Sequence, residues 1–421
     1  MTRTGANQPA LRSHNAALVL DLLRTAGEDG ISRPELAERT GLTPQAVSKI
    51  TARLRAEGLA ADAGRRASTG GKPATALRLV PEAAHAVGVH LDRDELTAVL
   101  VDLRGEAVAV RRAALDLGAA AETVLGVIEG EVRGLVAGAD LGAGAGAEIG
   151  AGASAEIGAG VRSESSARPG ARTRPSPAPL GVGVAMPGPL DHVAGVPHRV
   201  TGHPQWDGFP LRDELARRLG GVVVLDKDTN AAALGLALRA GAPESFAYLH
   251  LGTGLGAALV LGGGLYRGAR TGAGEFGHQT IQLDGPPCGC GGRGCLEVMC
   301  LGAVARGDVW EAARVLGAGA ANLVALLDID RVLLGGRVVD AAPEAFADGV
   351  GEVLAALAHR TGAAAPVPVA VAGGAWAVAE GAAQLVLAPL FGKEGRADGQ
   401  SAEAGAEAGP GPGPDGRSVR Q

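Results

Sequence analysis

The segment Gly277–Glu297, GHQTIQLDGPPCGCGGRGCLE, leaves fewer structural options open than any other part of the chain. It holds three of the four cysteines, Cys288, Cys290 and Cys295, within eight residues, and His278 lies ten positions before the first of them. Such a small, clustered set of cysteines does not resemble a disulfide framework. Cysteines at this spacing more often indicate a bound metal.

Length and charge limit the number of domains and the kinds of partner that the chain can have. A chain of 421 residues is too long for one compact core, so two or three domains are expected. There is no run of about 20 apolar residues and no signal peptide, so we predict a cytoplasmic protein without a membrane span. Residues 1–80 carry 12 Lys and Arg against 7 Asp and Glu, whereas the remainder carries 27 against 38. A basic N-terminal part on an acidic body favours a nucleic-acid-binding module, although chance variation gives the same balance.

The stretch SRPELAERTGLTPQAVSKITARLRAEGL (32–59) predicts two helices joined by a short turn. Ser32 and Glu35 have the spacing of a capping box, and Gly41 ends the first helix. Thr43 caps the second helix, with Pro44 in its first turn, where a missing N–H costs nothing. This is the pattern of a helix-turn-helix, whose second helix enters the major groove of DNA. A helical hairpin used for protein contacts is the alternative.

The polar residues of this unit fall into two predicted groups. Gln45, Ser48, Lys49 and Arg53 lie on the outward side of the second helix, where they would face base edges and phosphates. Two short strands follow between Leu59 and Leu79, and the turn between them, GRRASTGGKP, forms a basic wing. The wing residues predicted to contact DNA are Arg65, Arg66 and Lys72.

Strands alternating with helices after Pro81 predict an α/β body. The segment 138–179 repeats AEIGAG and otherwise consists of Gly, Ala, Ser, Arg and Pro, so it is predicted to be a disordered insertion. Residues 392–421 have the same character and are predicted to form a disordered tail. The predicted domains are therefore a DNA-binding domain over 1–80 and a body over 81–391 that contains the insertion.

The chain resembles the ROK family (repressors, open reading frames and sugar kinases). The resemblance runs from the helix-turn-helix through GVGVAMPGPLD, DTNAAALG, LGTGLGAAL and LLGGRV, and its most specific part is GEFGHQ…CGCGGRGCLE. It implies an α/β fold with an N-terminal winged helix-turn-helix followed by a two-lobed, actin-like sugar-kinase-type body. A sugar is expected to bind between the two lobes.

The resemblance also assigns roles to individual residues. It implies that His278, Cys288, Cys290 and Cys295 bind one structural zinc, which agrees with the closed tetrahedral sites that thiolates and imidazole form. It implies that Glu275, His278 and Glu297 hold sugar hydroxyls and that Asp228 matches the catalytic base of the kinases. Unliganded thiols and ordinary surface acids are the alternatives. Cys300 lies outside the motif and is expected to be a buried thiol.

Four departures from the family pattern affect the predicted function. Lys227 stands where the family usually has Asn, and no Asn precedes Trp206, so His203 or Gln205 is expected to substitute. The phosphate loop Asp-x-Gly-Gly-Thr of the kinases is replaced by a turn that lacks both glycines and places Asp92, Arg93 and Asp94 together, whose acids would repel ATP. The region between Met299 and Asp330 looks shorter than usual, which suggests a trimmed nucleotide lobe.

We therefore expect a non-enzymatic transcriptional regulator of carbohydrate metabolism, most simply a repressor. It would bind operator DNA as a homodimer or higher homo-oligomer and respond to a sugar or sugar-derived effector without phosphorylating it. One alternative is an ATP-dependent sugar kinase that carries a DNA-binding head. Another is a regulator whose effector is a protein that docks on the body.

Overall fold

The computed structural model describes residues 8–65, 75–139, 147–148, 178–239 and 241–393. The predicted insertion (138–179) and tail (392–421) lie almost wholly outside these residues. So does the predicted wing turn, including Arg66 and Lys72.

The described helices are α1 (Gln8–Thr25), α2 (Arg33–Thr40), α3 (Pro44–Ala56), α4 (Ala121–Gly138), α5 (Leu211–Leu219), α6 (Asp228–Ala237), α7 (Leu296–Ala305), α8 (Val309–Leu327), α9 (Arg337–Asp340), α10 (Pro343–Thr361) and α11 (Ala377–Leu387). The described strands are β1 (Ile31–Ser32), β2 (Ala60–Arg65), β3 (Thr75–Leu79), β4 (His85–Leu91), β5 (Glu95–Asp102), β6 (Ala107–Ala114), β7 (Ala147–Glu148), β8 (Val182–Met186), β9 (Leu190–Asp191), β10 (Val196–Pro197), β11 (Val223–Lys227), β12 (Phe246–Leu251), β13 (Leu255–Leu261), β14 (Gly264–Tyr266), β15 (Arg331–Gly335) and β16 (Val369–Val371).

The N-terminal head is the predicted winged helix-turn-helix. The capping box at α2 is present, because Ser32 N–H donates to Glu35 Oε2 at 2.8 Å and Glu35 N–H donates to Ser32 Oγ at 3.4 Å. Gly41 closes α2 with φ of +69°, and Thr43 accepts from Ala46 N–H at the start of α3. The three-stranded sheet, in the order β1-β3-β2, packs against these helices.

The first lobe of the body is a six-stranded sheet in the order β11-β8-β4-β5-β6-β7. Strands β4, β5 and β6 form an antiparallel meander, and β8 and β11 extend it in parallel. Side chains alternate along β5, so Leu96, Ala98 and Leu100 face a core that contains α4 and α5. Val99 and Val101 face the opposite side, toward α11 and the head.

The second lobe is a five-stranded sheet in the order β14-β13-β12-β15-β16, with β12, β15 and β16 parallel. One face packs against α7, α8 and α10. The other face packs against α6 and α11, which lie between the two sheets. The two-lobed α/β body expected from the sequence is thus confirmed.

Close backbone contact joins α11 to the first sheet. A Cβ atom at Gly183 would overlap the carbonyl oxygen of Ala382, and one at Gly88 would overlap that of Ala379. Glycine is therefore required on β4 and β8 where the helix crosses them.

The head and the body share one hydrophobic core. Val19, Leu20 and Leu23 of α1 belong to the same buried cluster as Leu387 of α11 and Phe391, which follows it. The predicted boundary at residue 80 stays a prediction.

Among the described residues, α8 alone is long and apolar enough to cross a membrane by length and composition. It packs against α7 and α10 and buries side chains such as Leu316 and Ala320 in the second lobe. It therefore serves as a core helix of that lobe.

Candidate functional site

An open, polar cleft lies between the two lobes, and we refer to it as the interlobe cleft. The first lobe contributes the β4–β5 turn and the end of β11, and the second lobe contributes the β12–β13 turn and the segment before α7. The four residues predicted to bind a ligand, Asp228, Glu275, His278 and Glu297, all line it. Its other charged lining residues are Asp92, Arg93 and Lys227.

Asp228 is the first residue of α6 and lines the cleft. Its Oδ1 accepts the backbone N–H of Thr229 at 2.6 Å. Burial raises the pKa of Asp228 to about 7, and the nearby Asp92 and Glu275 carboxylates act in the same direction. The Thr229 hydrogen bond and the Lys227 ammonium oppose this shift. Near neutral pH the carboxyl group can therefore either accept or donate a proton.

Glu297 and Glu275 lie on the two sides of the segment that carries His278 and the three clustered cysteines. Glu297 lies in the first turn of α7, and its Oε2 accepts the N–H of Leu255 at 2.9 Å. Glu275 Oε1 lies 3.2 Å from Lys227 Nζ. Each of the two carboxylates therefore contacts a specific residue of the cleft wall.

The predicted metal ligands converge. The ligand atoms of His278, Cys288, Cys290 and Cys295 all lie within 4.8 Å of one another. Cys290 Sγ is 3.7 Å from Cys295 Sγ, and Cys288 Sγ is 3.8 Å from His278 Nδ1. Three thiols and one imidazole at these separations fit one tetrahedral ion.

The turns of the segment explain why these four residues meet. Isolated bridges pair Thr280 with Cys295 and Pro287 with Arg293, and Gly294 has a positive φ of +59°. A Cβ atom at Gly294 would overlap the carbonyl oxygen of Gln282, so the chain can fold back only with glycine there. Cys300 is separate from this cluster, and its buried thiol donates to the carbonyl of Ala312, as expected.

The β4–β5 turn, where the kinase pattern would place a phosphate loop, is bonded to the opposite lobe. Asp92 Oδ1 accepts from Thr253 Oγ1 and from Arg93 N–H, each at 2.7 Å. Both carboxylate oxygens of Asp94 accept from Arg337 at 3.1 Å. Burial raises the pKa of Asp92, but the Thr253 hydrogen bond and its polar surroundings outweigh burial and hold it below the usual value.

The residues expected to replace the missing Asn do not line the cleft. Gln205 donates to the carbonyl of Leu117 at 2.9 Å, away from the cleft. The ring of His203 lies beside Gly118 and Asp116. From the same loop, Val200 and Thr201 do line the cleft. Sequence reasoning also missed Lys227 as a cleft residue, although it had marked the position as unusual.

The predicted DNA-contacting face lies on α3. Val47, Thr51 and Leu54 are buried against the head, which turns Gln45, Ser48, Lys49 and Arg53 outward into solvent. Arg53 makes an exposed ion pair with Glu57 at 3.6 Å. Arg65 ends β2 at the start of the wing.

Comparisons with known proteins agree with this two-part organisation. The sequence model of the MarR family matches residues 13–67, and that of the ROK family matches residues 173–306. The chain is 32% identical to the kanosamine kinase of Amycolatopsis mediterranei over 224 residues, which are 46% of this chain and 72% of the kinase.

A xylose repressor from Caldicellulosiruptor bescii is 26% identical over 293 residues. The match covers 69% of this chain and 64% of the repressor, so the chain spans just under two thirds of that relative. A solved structure described as a ROK family transcriptional regulator, homolog of E. coli MLC protein, has a TM-score of 0.65 at 20% identity. It covers 90% of this chain and 97% of its own, which shows that the two share a fold.

Proposed function

The chain belongs to the ROK family, and on that premise we propose that it is a sugar-responsive transcriptional repressor that does not phosphorylate its sugar. One observation carries the proposal. A capped helix with an exposed polar face and a cleft lined by Asp228, Glu275, His278 and Glu297 occur in the same chain. The name of the xylose repressor to which the chain is similar supports the same assignment.

The head binds operator DNA through α3 in this proposal. Gln45 and Ser48, near the start of α3, contact base edges, whereas Lys49 and Arg53 contact phosphates. Arg65, Arg66 and Lys72 of the wing add phosphate contacts. A homodimer would place two such helices on one face of a pseudopalindromic operator, with half-sites separated by whole helical turns.

Substitutions on α3 test this division of roles. Gln45→Ala and Ser48→Ala should each weaken binding to the cognate duplex by roughly 1–3 kcal/mol and leave binding to random DNA almost unchanged. Lys49→Ala and Arg53→Ala should weaken both and lower the salt slope by about one each. Fluorescence anisotropy at two salt concentrations measures all four. Equal effects of Gln45→Ala on cognate and random duplexes would contradict the proposed face.

The body binds the sugar in the interlobe cleft. Asp228, Glu275 and Glu297 supply acceptors for hydroxyl donors. His278 serves twice, because its Nδ1 faces Cys288 and its other ring nitrogen is then free to meet a sugar hydroxyl. Zinc held by His278 and the three cysteines would tie down the segment between Glu275 and Glu297, so the metal positions the ligand residues.

The absence of phosphorylation follows from the β4–β5 turn. A kinase needs backbone N–H groups that can approach phosphate oxygens at this place. Here Asp92 is bonded to Thr253 and Asp94 to Arg337 across the space between the lobes, so acidic groups and their partners occupy it. Purified protein with Mg-ATP and a panel of hexoses and pentoses should release no ADP above background.

An ATP-dependent sugar kinase is the second candidate function. Asp228 favours it, because a carboxyl group with a pKa of about 7 is well suited to general-base catalysis. Sugar-dependent ADP release that disappears in Asp228→Asn would establish the kinase. In the repressor, the same carboxyl group only hydrogen-bonds the sugar.

Regulation then follows from linkage. A sugar can weaken DNA binding only by the free energy with which it favours the conformation that does not bind DNA.

The proposed domain division is a DNA-binding domain over 1–80 and a sugar-binding body over 81–391, in a cytoplasmic protein.

A further inference from the structure

Lys227 places a buried positive charge in the wall of the interlobe cleft. Its side chain is only 4% exposed, and its Nζ donates to Glu275 Oε1 at 3.2 Å and to the carbonyl of Ala273. An ammonium group has three N–H donors and no acceptor. With two donors used inside the protein, one remains for a ligand in the cleft.

The surrounding backbone makes room for this lysine. A Cβ atom at Gly188 would lie 2.6 Å from Lys227 Cδ and 3.2 Å from Glu275 Oε1. A Cβ atom at Gly274 would lie 3.4 Å from Lys227 Nζ. A larger residue at Gly188 would overlap the lysine side chain, whereas one at Gly274 would only touch its ammonium group. Glycine at position 188 therefore leaves the space that the Lys227 side chain occupies.

The position of Lys227 changes the charge that a ligand meets. Asp228 and Glu275 both line the cleft, and the ammonium group lies next to Glu275. A ligand hydroxyl at this point can accept a hydrogen bond from Lys227 and donate one to Glu275. A protonated amine can donate to Glu275, but it has no lone pair that could accept a hydrogen bond from Lys227. It also places a second positive charge beside the Lys227 ammonium group in a partly desolvated site.

We propose that the Lys227–Glu275 pair is a specificity determinant that selects an uncharged hydroxyl and rejects an ammonium group at the ligand carbon that faces it. The inference rests on the proposed sugar-binding function and narrows it to neutral sugars at this position. Removing the charge of Lys227 leaves Glu275 unpaired, and an unpaired carboxylate attracts an ammonium group. Removing the charge of Glu275 leaves Lys227 unpaired and should strengthen the rejection.

An amino scan of the ligand tests the inference by calorimetry. The probes are D-glucose and D-xylose and their monoamino analogues, in which one hydroxyl at a time is replaced by an amine. For the wild type, one analogue should bind at least about tenfold more weakly than its parent sugar. The measured quantity is the dissociation constant of the analogue divided by that of its parent sugar. Lys227→Met should bring this ratio at least about tenfold closer to one, and Glu275→Gln should move it in the opposite direction.

Lys393→Met is the matched control, because it removes the same charge at a site outside the cleft, where Lys393 pairs with Asp21 at 3.4 Å. It should leave every ratio at the wild-type value. Lys227→Asn, a smaller polar replacement, should reproduce the effect of Lys227→Met if the latter folds poorly. Parent and amino analogues that bind the wild type equally, or ratios that stay unchanged in the Lys227 variants, would overturn the inference while sugar binding stands. If neither parent sugar binds, the scan is repeated with a sugar that does bind from the panel of hexoses and pentoses. Failure of the wild type to bind any sugar of that panel would contradict the proposed function itself, and the inference would fall with it.

Discussion

Arg24, at the end of α1, provides a direct polar contact between the head and the body. Its Nη1 donates to the carbonyl of Leu238 at 2.9 Å, at the C-terminal end of α6. Its guanidinium lies 5.0 Å from the centre of the Phe391 ring and holds Asp21 at 2.7 Å. The side chain is 11% exposed, so these interactions are largely shielded from solvent.

Arg24→Met keeps most of the apolar stem and removes the charge. A hydrogen bond from a charged donor contributes about 1.5–3 kcal/mol, and a partly desolvated cation–π contact contributes about 1 kcal/mol. Asp21 keeps its ion pair with Lys393 at 3.4 Å, so its carboxylate still has a positively charged partner in the variant. The free energy of unfolding should therefore fall by about 2–4 kcal/mol.

Urea unfolding followed by circular dichroism measures this loss. Arg314→Met is the matched control, because Arg314 is 56% exposed and makes one ion pair with Glu311 at 3.6 Å. That variant should lose no more than about 0.5 kcal/mol. A loss in Arg24→Met as small as in the control would refute the reasoning that Arg24 holds the head to α6.

The same variant should uncouple sugar from DNA. Helix α6 begins at Asp228 in the cleft and ends beside Leu238, so Arg24 links the ligand site to the head. Arg24→Met should bind sugar with unchanged affinity, while the factor by which sugar weakens DNA binding should move toward one. An unchanged factor would mean that the signal takes another route.

Three further perturbations have definite expected outcomes. Because the pKa of folded Asp228 is about 7 and the unfolded value is near 4, its proton is held only in the folded state between these values. The free energy of unfolding of the wild type, measured relative to that of Asp228→Asn, should thus fall by up to about 4 kcal/mol from pH 4 to 7. The lowered pKa of His90 gives the opposite slope in both proteins, so it cancels in this difference. Gly183→Ala should lower the melting temperature strongly, since its Cβ overlaps the Ala382 carbonyl, and unchanged calorimetric melting would contradict the packing. The wild type should copurify with one zinc per chain and Cys290→Ser should lose it; metal analysis of fresh, reduced wild type that finds no zinc would remove this claim.

Local features of the fold were predictable because they are encoded by neighbouring residues. The caps at Ser32 and Thr43 need side chains only three positions from their backbone partners. The convergence of Cys288, Cys290 and Cys295 was predictable for the same reason, since they lie within one short loop. Helix α11 gives no comparable local signal, because its Ala- and Gly-rich sequence carries no clear helical stripe.

The contacts on which the proposed function rests join distant parts of the chain, and no local pattern encodes them. Thr253 and Asp92 are 161 residues apart, and Arg24 and Leu238 are 214 residues apart. Whether such pairs meet depends on how the two sheets are stacked around α6 and α11. Lys227 was recognised as unusual from the sequence, but its pairing with Glu275 depends on the space beside Gly188, which only the structure reveals.

The affinity of the full chain for DNA, with and without sugar, tests the central claim most directly. A duplex selected from a random library by the protein is labelled, and its dissociation constant is measured by anisotropy during titration with D-xylose and with D-glucose, without ATP. The repressor predicts a selected sequence and a sugar that raises the dissociation constant at least about fivefold, reversibly on dialysis. Selection of no sequence, or release of DNA only when ATP is added and consumed, would contradict it.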